Sequence, residues 1–423
     1  MKVAVIGGGS TYTPELIEGI AARSERLPIT ELVLHDIDAD RLAVVGGLAG
    51  RMLRRMGWSG RLELTSDTEA AVDGARFVLV QLRVGGQRAR LVDETLPLRF
   101  GTIGQETTGA GGLAKALRTV PLVLEIAELA RRRADPDDWI VDFTNPVGIV
   151  TQALIDAGHR AIGLCNVAIT LQRNMARMIG ADPAELELSQ VGLNHLSWIT
   201  GVRRDGRDVL PDILDAHAEE LGRELNLSAA RLHELGAVPS YYLRYFYAFD
   251  EVMAEQRAGH SRADEVMDIE RRLLELYADP HLDTKPDLLD GRGGAWYSEA
   301  AAQLLASLTD GTGDVQVVDV RNGDAMPDLD PDDVVEVPAR IDRDGAHPLP
   351  QQPMPKATRE LVRAVKAYER LAIRAAMSGE RDDIRNALAA HPLVGGRIGD
   401  VDPLLDALVE ANRPYLAVAG RAE

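Results

Sequence analysis

The only cysteine of this 423-residue chain lies beside an asparagine, in the stretch GLCNV at residues 163–167. A lone cysteine is often a small core residue, but Cys165 and Asn166 end a strand-like run, HRAIGLC. His195 lies at the end of another such run, in VGLNHLSW. A thiolate and an imidazole that meet could hold a divalent cation and leave positions open for substrate oxygens. Two ligands without a paired-cysteine spacing are a weak signal, so this hypothesis depends on the residues around them.

Asn145 lies in FTNPVG, directly after the apolar run DWIVDF. In an open α/β sheet, residues at the carboxyl ends of the strands line the ligand crevice. Cys165 and Asn166 should share that edge of the sheet. The pattern therefore predicts that Asn145 hydrogen-bonds a polyol beside the cysteine.

Gly7, Gly8, Gly9 and Ser10 follow the first strand-like run, KVAVI, and precede a helical pattern. Glycines at this turn let a pyrophosphate approach the backbone, and the helix N-terminus offers free N–H groups. A full dinucleotide fingerprint would need glycine at position 12, which is Tyr12. The motif is incomplete, but its position predicts a nucleotide-binding turn.

Asp36 ends the second strand-like run, ELVLH, and is the predicted ligand of an adenosine ribose. A carboxylate there would accept both ribose hydroxyls and would repel a 2′-phosphate, which favours NAD over NADP. Asp38 and Asp40 are close in sequence, and only one of the three could have this role.

Two further segments carry chemistry-bearing residues. The segment at 85–112 is long, polar and rich in glycine, and Arg83, Arg88 and Arg90 supply positive charge there. The stretch VPSYYLRYFY at 238–247 holds four of the nine tyrosines. A tyrosine cluster is usually packing, and a phenol acts as a base only if a nearby cation lowers its pKa.

The elements that position these residues alternate in the first part of the chain. Five apolar runs, ending with HRAIGLC, are separated by helical patterns, which is typical of a parallel, doubly wound sheet. The alternation then fails: an Asp205-Gly206 turn indicates a hairpin, and DVQVVDV with DDVVEVPARI indicates a later strand pair. We predict an α/β protein with a Rossmann-type NAD-binding domain at 1–163 and an α+β domain at 164–423 for catalysis, metal binding and oligomerisation.

Composition excludes several classes of function. The chain is 45% hydrophobic, 27% charged and carries a net charge of −19, so its field repels nucleic acid and anionic membranes. An anionic substrate would need local arginines. One cysteine fits a reducing compartment, and no apolar run is long enough to span a membrane. We expect a cytoplasmic protein with neither nucleic acid nor membrane as a partner.

Eight segments between residues 6 and 338 together resemble glycoside hydrolase family 4, the NAD- and metal-dependent glycosidases. They are IGGGSTYTP, LHDID, the RVGG to GQETTGAGG region, FTNPVGIVTQA, GLCNV, GLNHLSW, PSYYLRYFY and VVEVP. The resemblance implies a Rossmann-type domain, similar to lactate and malate dehydrogenases, fused to a catalytic α+β domain. It is strongest to the branch that acts on 6-phospho-β-glucosides.

The resemblance also implies a redox-assisted reaction. In this family NAD⁺ takes a hydride from C3 of the sugar, and a tyrosine removes the C2 proton. The bond at C1 then breaks by elimination, water adds, and the hydride returns. A divalent ion, usually Mn²⁺, holds the sugar oxygens.

Carried over by motif, Cys165 and His195 are the expected metal ligands and Tyr242 the expected base, with the adjacent Tyr241 left open. The expected substrate-binding residues are Asn145, Asn166, Arg90 and Arg262. The two arginines are assigned provisionally to a 6-phosphate, which a guanidinium can bind through two hydrogen bonds.

The position after the cysteine distinguishes branches of the family. Members specific for α-glycosides resemble Cys-Asp there, whereas this chain has Asn166, as in the β-type branch. β-Type members usually read Cys-Asn-Val-Pro, whereas this chain has Ala168 at the position of the proline.

The leading expectation is a 6-phospho-β-glucosidase that forms a homodimer or homotetramer. The alternatives are an α-specific or unphosphorylated substrate within the same family, a net NAD-dependent dehydrogenase acting on a hydroxy acid or sugar, and a nucleotide-sensing binding protein.

Overall fold

The structure, a computed structural model, describes residues 1–133, 138–293 and 296–416. Its strands are β1 (Lys2–Ile6), β2 (Glu31–His35), β3 (Arg61–Thr65), β4 (Phe77–Val80), β5 (Trp139–Asp142), β6 (Ala161–Gly163), β7 (Glu187–Leu193), β8 (Leu196–Arg204), β9 (Arg207–Asp208), β10 (Val238–Pro239), β11 (Asp314–Arg321), β12 (Val334–Asp342) and β13 (Gly345–Pro348).

The α-helices are α1 (Thr13–Ala21), α2 (Ala39–Arg55), α3 (Thr68–Val72), α4 (Gly86–Thr95), α5 (Gly109–Arg133), α6 (Val147–Asp156), α7 (Val167–Met178), α8 (Leu210–Leu225), α9 (Ala229–Leu235), α10 (Arg244–Tyr247), α11 (Phe249–Ala258), α12 (Arg262–Tyr277), α13 (Tyr297–Asp310), α14 (Lys356–Ser378), α15 (Arg381–Ala390) and α16 (Asp402–Asn412). Short 3₁₀ helices cover Pro97–Phe100, Pro183–Glu185, Tyr241–Leu243 and Asp287–Arg292.

Six parallel strands form one side of the main sheet, from the edge inward, in the order β3-β2-β1-β4-β5-β6. This is the strand order of dinucleotide-binding folds, which place the ligand where the order reverses, between β1 and β4. The strands are apolar on both faces because helices cover both faces, and β4 and β5 are buried along their whole length. The predicted doubly wound parallel sheet is confirmed.

One parallel strand, β3, was not identified from the sequence. Its residues alternate between charged and apolar types, as in Arg61, Leu62 and Glu63. That half-polar pattern suits a strand at the edge of a sheet, where one face is solvated. It does not resemble the all-apolar runs by which the other five parallel strands were recognised.

Strands from beyond residue 163 extend the same sheet. β11 pairs antiparallel with β6 through Asp319 and Gly163, and β12 and β13 follow, again antiparallel. One buried apolar cluster also runs from Val3 in β1 to Val337 in β12. The predicted later strand pair therefore exists, and it packs into the sheet of the N-terminal part. The division at residue 163 stays a prediction.

A second, smaller sheet contains β7 to β10. Asn194 and His195 alone connect β7 to β8, with Leu193 opposite Leu196. The predicted hairpin turn at Asp205-Gly206 is present between β8 and β9. No helix within the described ranges has the length and apolar character needed to cross a membrane.

Candidate active site

The turn after β1 forms one wall of the site. The backbone N–H groups of Gly7 and Gly8 both donate to the His35 carbonyl oxygen, at 2.9 and 2.7 Å. Gly7 has a φ of 90°, and a Cβ there would lie 2.9 Å from the Gln81 carbonyl oxygen. Only glycine fits this close crossing of β1 and the segment after β4. The turn is thus shaped as a backbone cradle facing the point where strand order reverses.

Asp36 follows β2 at the same edge and is tied to the glycine turn. Its Oδ2 accepts a hydrogen bond from the Gly9 N–H at 3.0 Å, and its Oδ1 accepts one from the Asp38 N–H at 3.1 Å. Asp38 itself caps α2 by accepting from the Arg41 N–H. All three aspartates left open from the sequence lie near this turn, and the assignment of a ribose to Asp36 stays a prediction.

A cavity of about 1410 Å³ extends from this turn across the carboxyl ends of the strands. It is larger than most sites for a single small molecule and has room for a dinucleotide beside a sugar. The predicted site residues that line it are Gly7, Ser10, Asp36, Arg90, Asn145, Asn166, His195, Tyr242 and Arg262. Gly8, Gly9 and Cys165 are not among the lining residues; Cys165 is buried directly before the lining residue Asn166.

Asn145 presents an unpaired oxygen to this region. Its Oδ1 is shielded from solvent and has no hydrogen-bond partner among the described residues. A buried amide oxygen without a partner costs free energy. A hydroxyl donor of a bound sugar or ribose would satisfy it.

Cys165 follows β6 and is 6% exposed. Its thiol is close enough to the side chains of Asn194, Tyr297, Tyr241 and Tyr242 to interact with them. Burial, helped by the charge of nearby carboxyls, raises the pKa of this thiol above its ordinary value. The thiolate would therefore form only with a bound cation to stabilise it.

His195 is held in an orientation suited to a ligand. It has a φ of 62°, unusual for a residue other than glycine, and its Nδ1 is 2.9 Å from the Thr107 Oγ1. Burial lowers the pKa of His195 to about 3, so the imidazole stays neutral, the form that binds metals. Its Nε2 has no hydrogen-bond partner within the ranges the structure describes.

Tyr242 links the two predicted metal ligands. The His195 ring stacks on it with 3.6 Å between centroids, and its phenol is near enough to Cys165 for their charges to interact. Burial first, and the neighbouring Tyr241 and Cys165 next, raise the pKa of Tyr242 well above its ordinary value. Tyr241 stacks on the outer side at 4.1 Å and is 40% exposed. The inner position favours Tyr242 as the base.

The donor set leaves a metal site incomplete without substrate. No group of three histidine, cysteine, aspartate or glutamate side chains within the described ranges could hold a metal ion. Cys165 and His195 would supply one sulfur and one nitrogen, and water or sugar oxygens the rest. Such an open site is typical of catalytic metals that bind substrate directly. A thiolate and a neutral imidazole are donor types that suit a divalent ion, and both residues lie around Tyr242. Their joint ligation of one ion stays a prediction.

A cluster of three cations surrounds one buried carboxylate beside the tyrosines. Arg83, Arg90 and Lys115 all pair with Glu106. Although burial opposes ionisation, the charges of Arg83 and Lys115 hold the pKa of Glu106 well below its ordinary value. Glu94 also pairs with Arg90, and burial lowers the pKa of Lys115 to about 7, so the net positive charge of the cluster near neutral pH is small.

The two predicted phosphate ligands differ in depth. Arg90 is 14% exposed, pairs with Glu94 at 2.6 Å, and lies near Tyr242. Arg262 begins α12 at the cavity rim, is 44% exposed, and pairs with Glu265 at 2.7 Å. The structure brings both to the cavity, and each already contacts a carboxylate.

Four lining or supporting residues were missed from the sequence: Glu106, Thr107, Arg292 and Tyr297. Glu106 and Thr107 lie in the polar, glycine-rich segment at 85–112, but neither residue was given a role from the sequence. Arg292 donates to the Thr11 Oγ1 at 2.8 Å, next to the nucleotide turn. It comes from a distant segment, and no spacing in the sequence signals that contact.

Family profiles and curated proteins similar to this chain all describe one kind of enzyme. The family profile described as family 4 glycosyl hydrolase matches residues 2–181, and the profile of its C-terminal domain matches residues 190–394. The chain is 38% identical to a probable 6-phospho-β-glucosidase of Bacillus subtilis, over 98% of this chain and 97% of that protein.

Solved structures are also similar to this chain. The 6-phospho-β-glucosidase of Thermotoga maritima, solved with manganese, NAD⁺ and glucose 6-phosphate, is 34% identical with a TM-score of 0.91, covering 98% of this chain and 99% of that chain. A lactate dehydrogenase from a Medee basin deep-sea metagenome library is 14% identical with a TM-score of 0.54, covering 90% of this chain and 98% of that one. The second match shows a shared fold alone, and it confirms the predicted dehydrogenase-like architecture.

Proposed function

The chain belongs to family 4 of the glycosyl hydrolases, and from that premise we propose that it is a 6-phospho-β-glucosidase. It hydrolyses 6-phospho-β-D-glucosides, of which cellobiose 6-phosphate is an example. The observation that carries the proposal is the single cavity in which the glycine turn, Asn145, His195 and Tyr242 meet. A nucleotide turn and a candidate base in one space suit a glycosidase that uses a bound dinucleotide.

NAD and a divalent ion, Mn²⁺ or another, are the cofactors of the proposal. The turn at Gly7 leaves no space for a side chain, Asn145 has an unpaired oxygen, and Cys165 and His195 supply soft and borderline metal donors. When bound, NAD⁺ supplies reversible hydride acceptance from the sugar, and the divalent ion supplies charge stabilisation on the sugar oxygens.

The residues of the chain orient the sugar and move its proton. The phenol oxygen of Tyr242 accepts the proton of sugar C2. Because burial opposes ionisation of that phenol, the base depends on positive charge nearby, and the Arg90 guanidinium is close enough to interact with it. Asn145 Oδ1 accepts a hydrogen bond from a sugar or ribose hydroxyl.

The β specificity follows from Asn166 at the start of α7. This residue lines the cavity directly after Cys165, where a carboxylate could protonate a leaving group. An amide does not release a proton near neutral pH, so departure relies on water or on a good leaving group. This chemistry favours the β-type branch over an α-specific one.

The phosphate of the substrate is assigned to arginines of α4 and α12. Arg90 and Arg262 both line the cavity, and an arginine binds a phosphate through paired charge-assisted hydrogen bonds. With the cluster around Glu106, they supply the local positive charge that an anionic substrate needs in a chain of net charge −19. The proposal also includes a cytoplasmic homodimer or homotetramer.

A panel of nitrophenyl glycosides tests the function. We expect release of nitrophenol from the 6-phospho-β-glucoside only, and only with catalytic NAD⁺ and a divalent ion. A chelator should abolish turnover and Mn²⁺ restore it.

The same panel separates the alternatives. Equal rates with and without the 6-phosphate would contradict the substrate, and preference for the α-anomer would contradict the branch. Stoichiometric accumulation of NADH would identify a net dehydrogenase. NAD⁺ binding without any nitrophenol release, and without a metal requirement, would indicate a binding protein.

A further inference from the structure

A buried polar network adjoins Cys165. The Asn194 side chain is close enough to the Cys165 thiol for the two to interact. The same amide nitrogen is 3.2 Å from the Glu336 Oε1 and 3.4 Å from the Asp319 Oδ2. Glu336 is 1% exposed and Asp319 is fully buried. The sulfur thus contacts an amide that is itself fixed by two buried carboxyls.

Glu336 is anchored independently of the amide. Its Oε2 accepts hydrogen bonds from the Ser197 Oγ at 2.7 Å and from the Gln190 Nε2 at 2.8 Å. Glu336 belongs to β12, whereas Ser197 and Gln190 belong to the β7–β8 hairpin. The network therefore joins the smaller sheet to the main sheet, and it gives the VVEVP segment a role.

The carboxyls decide which end of the amide faces them. If the Asn194 amide were flipped, its oxygen would face the acceptor oxygens of Glu336 and Asp319, and those acceptors would lose their donor. An amide N–H is a donor and a buried carboxylate an acceptor, so the observed orientation is the favourable one. Since the amide has two N–H hydrogens and the bond to Glu336 is the shorter, the hydrogen directed at Asp319, at 3.4 Å, is the one that the Cys165 sulfur can share.

The position of Asn194 adds a second constraint. It directly precedes His195, and the two residues form the whole connection between β7 and β8. The left-handed backbone of His195 fixes that turn. One short turn therefore carries both the imidazole and the amide that touches the thiol.

We propose that Asn194 is a positioning residue that holds the Cys165 sulfur toward the divalent ion, with Glu336 fixing its amide. This inference rests on the proposed function, because it assumes a metal at Cys165 and His195. Residues that orient metal ligands typically change metal affinity by about 10–100-fold when they are replaced. Asn194 acts through the sulfur and need not touch the substrate.

The test measures metal binding rather than turnover. We expect N194A to bind Mn²⁺ about 10–100-fold more weakly, as followed by electron paramagnetic resonance of the free ion. The near-ultraviolet thiolate-to-metal band of the Co²⁺-loaded protein should weaken or shift, while NAD⁺ affinity stays unchanged. The matched control is N174A, which removes an exposed amide that bonds Glu224 and should change neither signal.

Two further variants make the outcome decisive. Wild-type Mn²⁺ affinity and an unchanged Co²⁺ band in N194A would overturn the positioning role. If C165S also keeps the Mn²⁺ affinity and the Co²⁺ band of the wild type, the metal site of the proposed function is wrong. If C165S loses them and N194A keeps them, only the positioning role is wrong. Should N194A fail to fold, E336Q replaces it, because it keeps the size of Glu336 but turns a donor toward Gln190 and Ser197. Unchanged Mn²⁺ binding in E336Q would then overturn the proposal.

Discussion

At the scale of single residues, Tyr242 occupies the position on which the proposed chemistry depends. It is covered on one face by the His195 ring and on the other by Tyr241. The phenol is therefore fixed in place but difficult to ionise. A residue with this environment is active only while a cation lies nearby, which couples the base to the metal.

Replacing Tyr242 with phenylalanine should keep the ring stack and remove the proton acceptor. We expect Y242F to lose about 10²–10⁴-fold in kcat and to stop exchanging the C2 proton of the sugar with deuterium, as read by NMR. Y241F is the control, since Tyr241 is the outer ring, and it should retain most of the exchange. The reverse result would assign the base to Tyr241.

Arg262 should affect binding of the phosphate more than chemistry. We expect R262A to raise KM for the phosphorylated substrate about tenfold, the value of one strong charge-assisted hydrogen bond, with little change in kcat. R271A serves as control because Arg271 lies on the same helix and pairs only with exposed Asp268 and Glu275. An equal change in KM for an unphosphorylated glucoside would refute the assignment.

Residues at strand ends were the ones that could be placed from the sequence. Asn145, Cys165 and Asn166 follow apolar runs, and the geometry of parallel sheets brings such positions to one edge. Glu106 and Tyr297 could not be placed in this way. Their contacts with Lys115 and Cys165 depend on tertiary packing. No local sequence pattern predicts such packing.

At the scale of elements, helix α5 is attached to its neighbours by a fully buried ion pair, in addition to the pair between Lys115 and Glu106. Arg118 binds the Asp93 carboxylate of α4 and, at 2.9 Å, the Asn412 Oδ1 of α16. Both side chains of the pair have no exposed surface. The pair thus joins the helix that carries Arg90 to the C-terminal helix.

Removing Arg118 should destabilise the protein strongly, since Asp93 would remain buried without a partner. We expect R118M to lose about 3–5 kcal/mol of unfolding free energy, seen as a lower thermal midpoint. R131A, on the same helix, breaks an exposed pair with Glu128 and should cost less than about 1 kcal/mol. Similar thermal midpoints for R118M and R131A would show that the buried pair contributes no more to stability than the exposed pair.

The elements themselves were predictable to different degrees. The apolar parallel strands follow from composition, because a strand covered on both faces has few polar residues. Strand β3 was missed since Arg61 and Glu63 interrupt its apolar pattern. The pairing of β11 with β6 could not be predicted either, because antiparallel pairing between Asp319 and Gly163 joins positions far apart in sequence.

At the scale of the whole molecule, the two parts of the chain share one sheet and one apolar core. A fragment of residues 1–163 would lose the strand that pairs with β6 and would expose that edge. We expect it to show no cooperative melting by circular dichroism and no NAD⁺ binding. The full-length chain should show both. A fragment that melts cooperatively and binds NAD⁺ would establish residues 1–163 as an independent domain.

Charge is distributed unevenly over the molecule. The chain carries a net charge of −19, yet Arg83, Arg90 and Lys115 gather around Glu106 at the cavity, with Glu94 also paired to Arg90. Local cations within an acidic protein favour binding of an anion at this place. The same distribution discourages nonspecific binding of polyanions elsewhere on the surface.

The single thiol of this chain can serve as a specific site for chemical labelling. Any reagent that alkylates sulfhydryl groups can modify this protein at Cys165 alone, so the mass added counts modified molecules without ambiguity. Because the sulfur is shielded from solvent, the speed of labelling measures how often the interior around it opens. The rate of local opening around Cys165 can therefore be measured in the unaltered protein, without an engineered label.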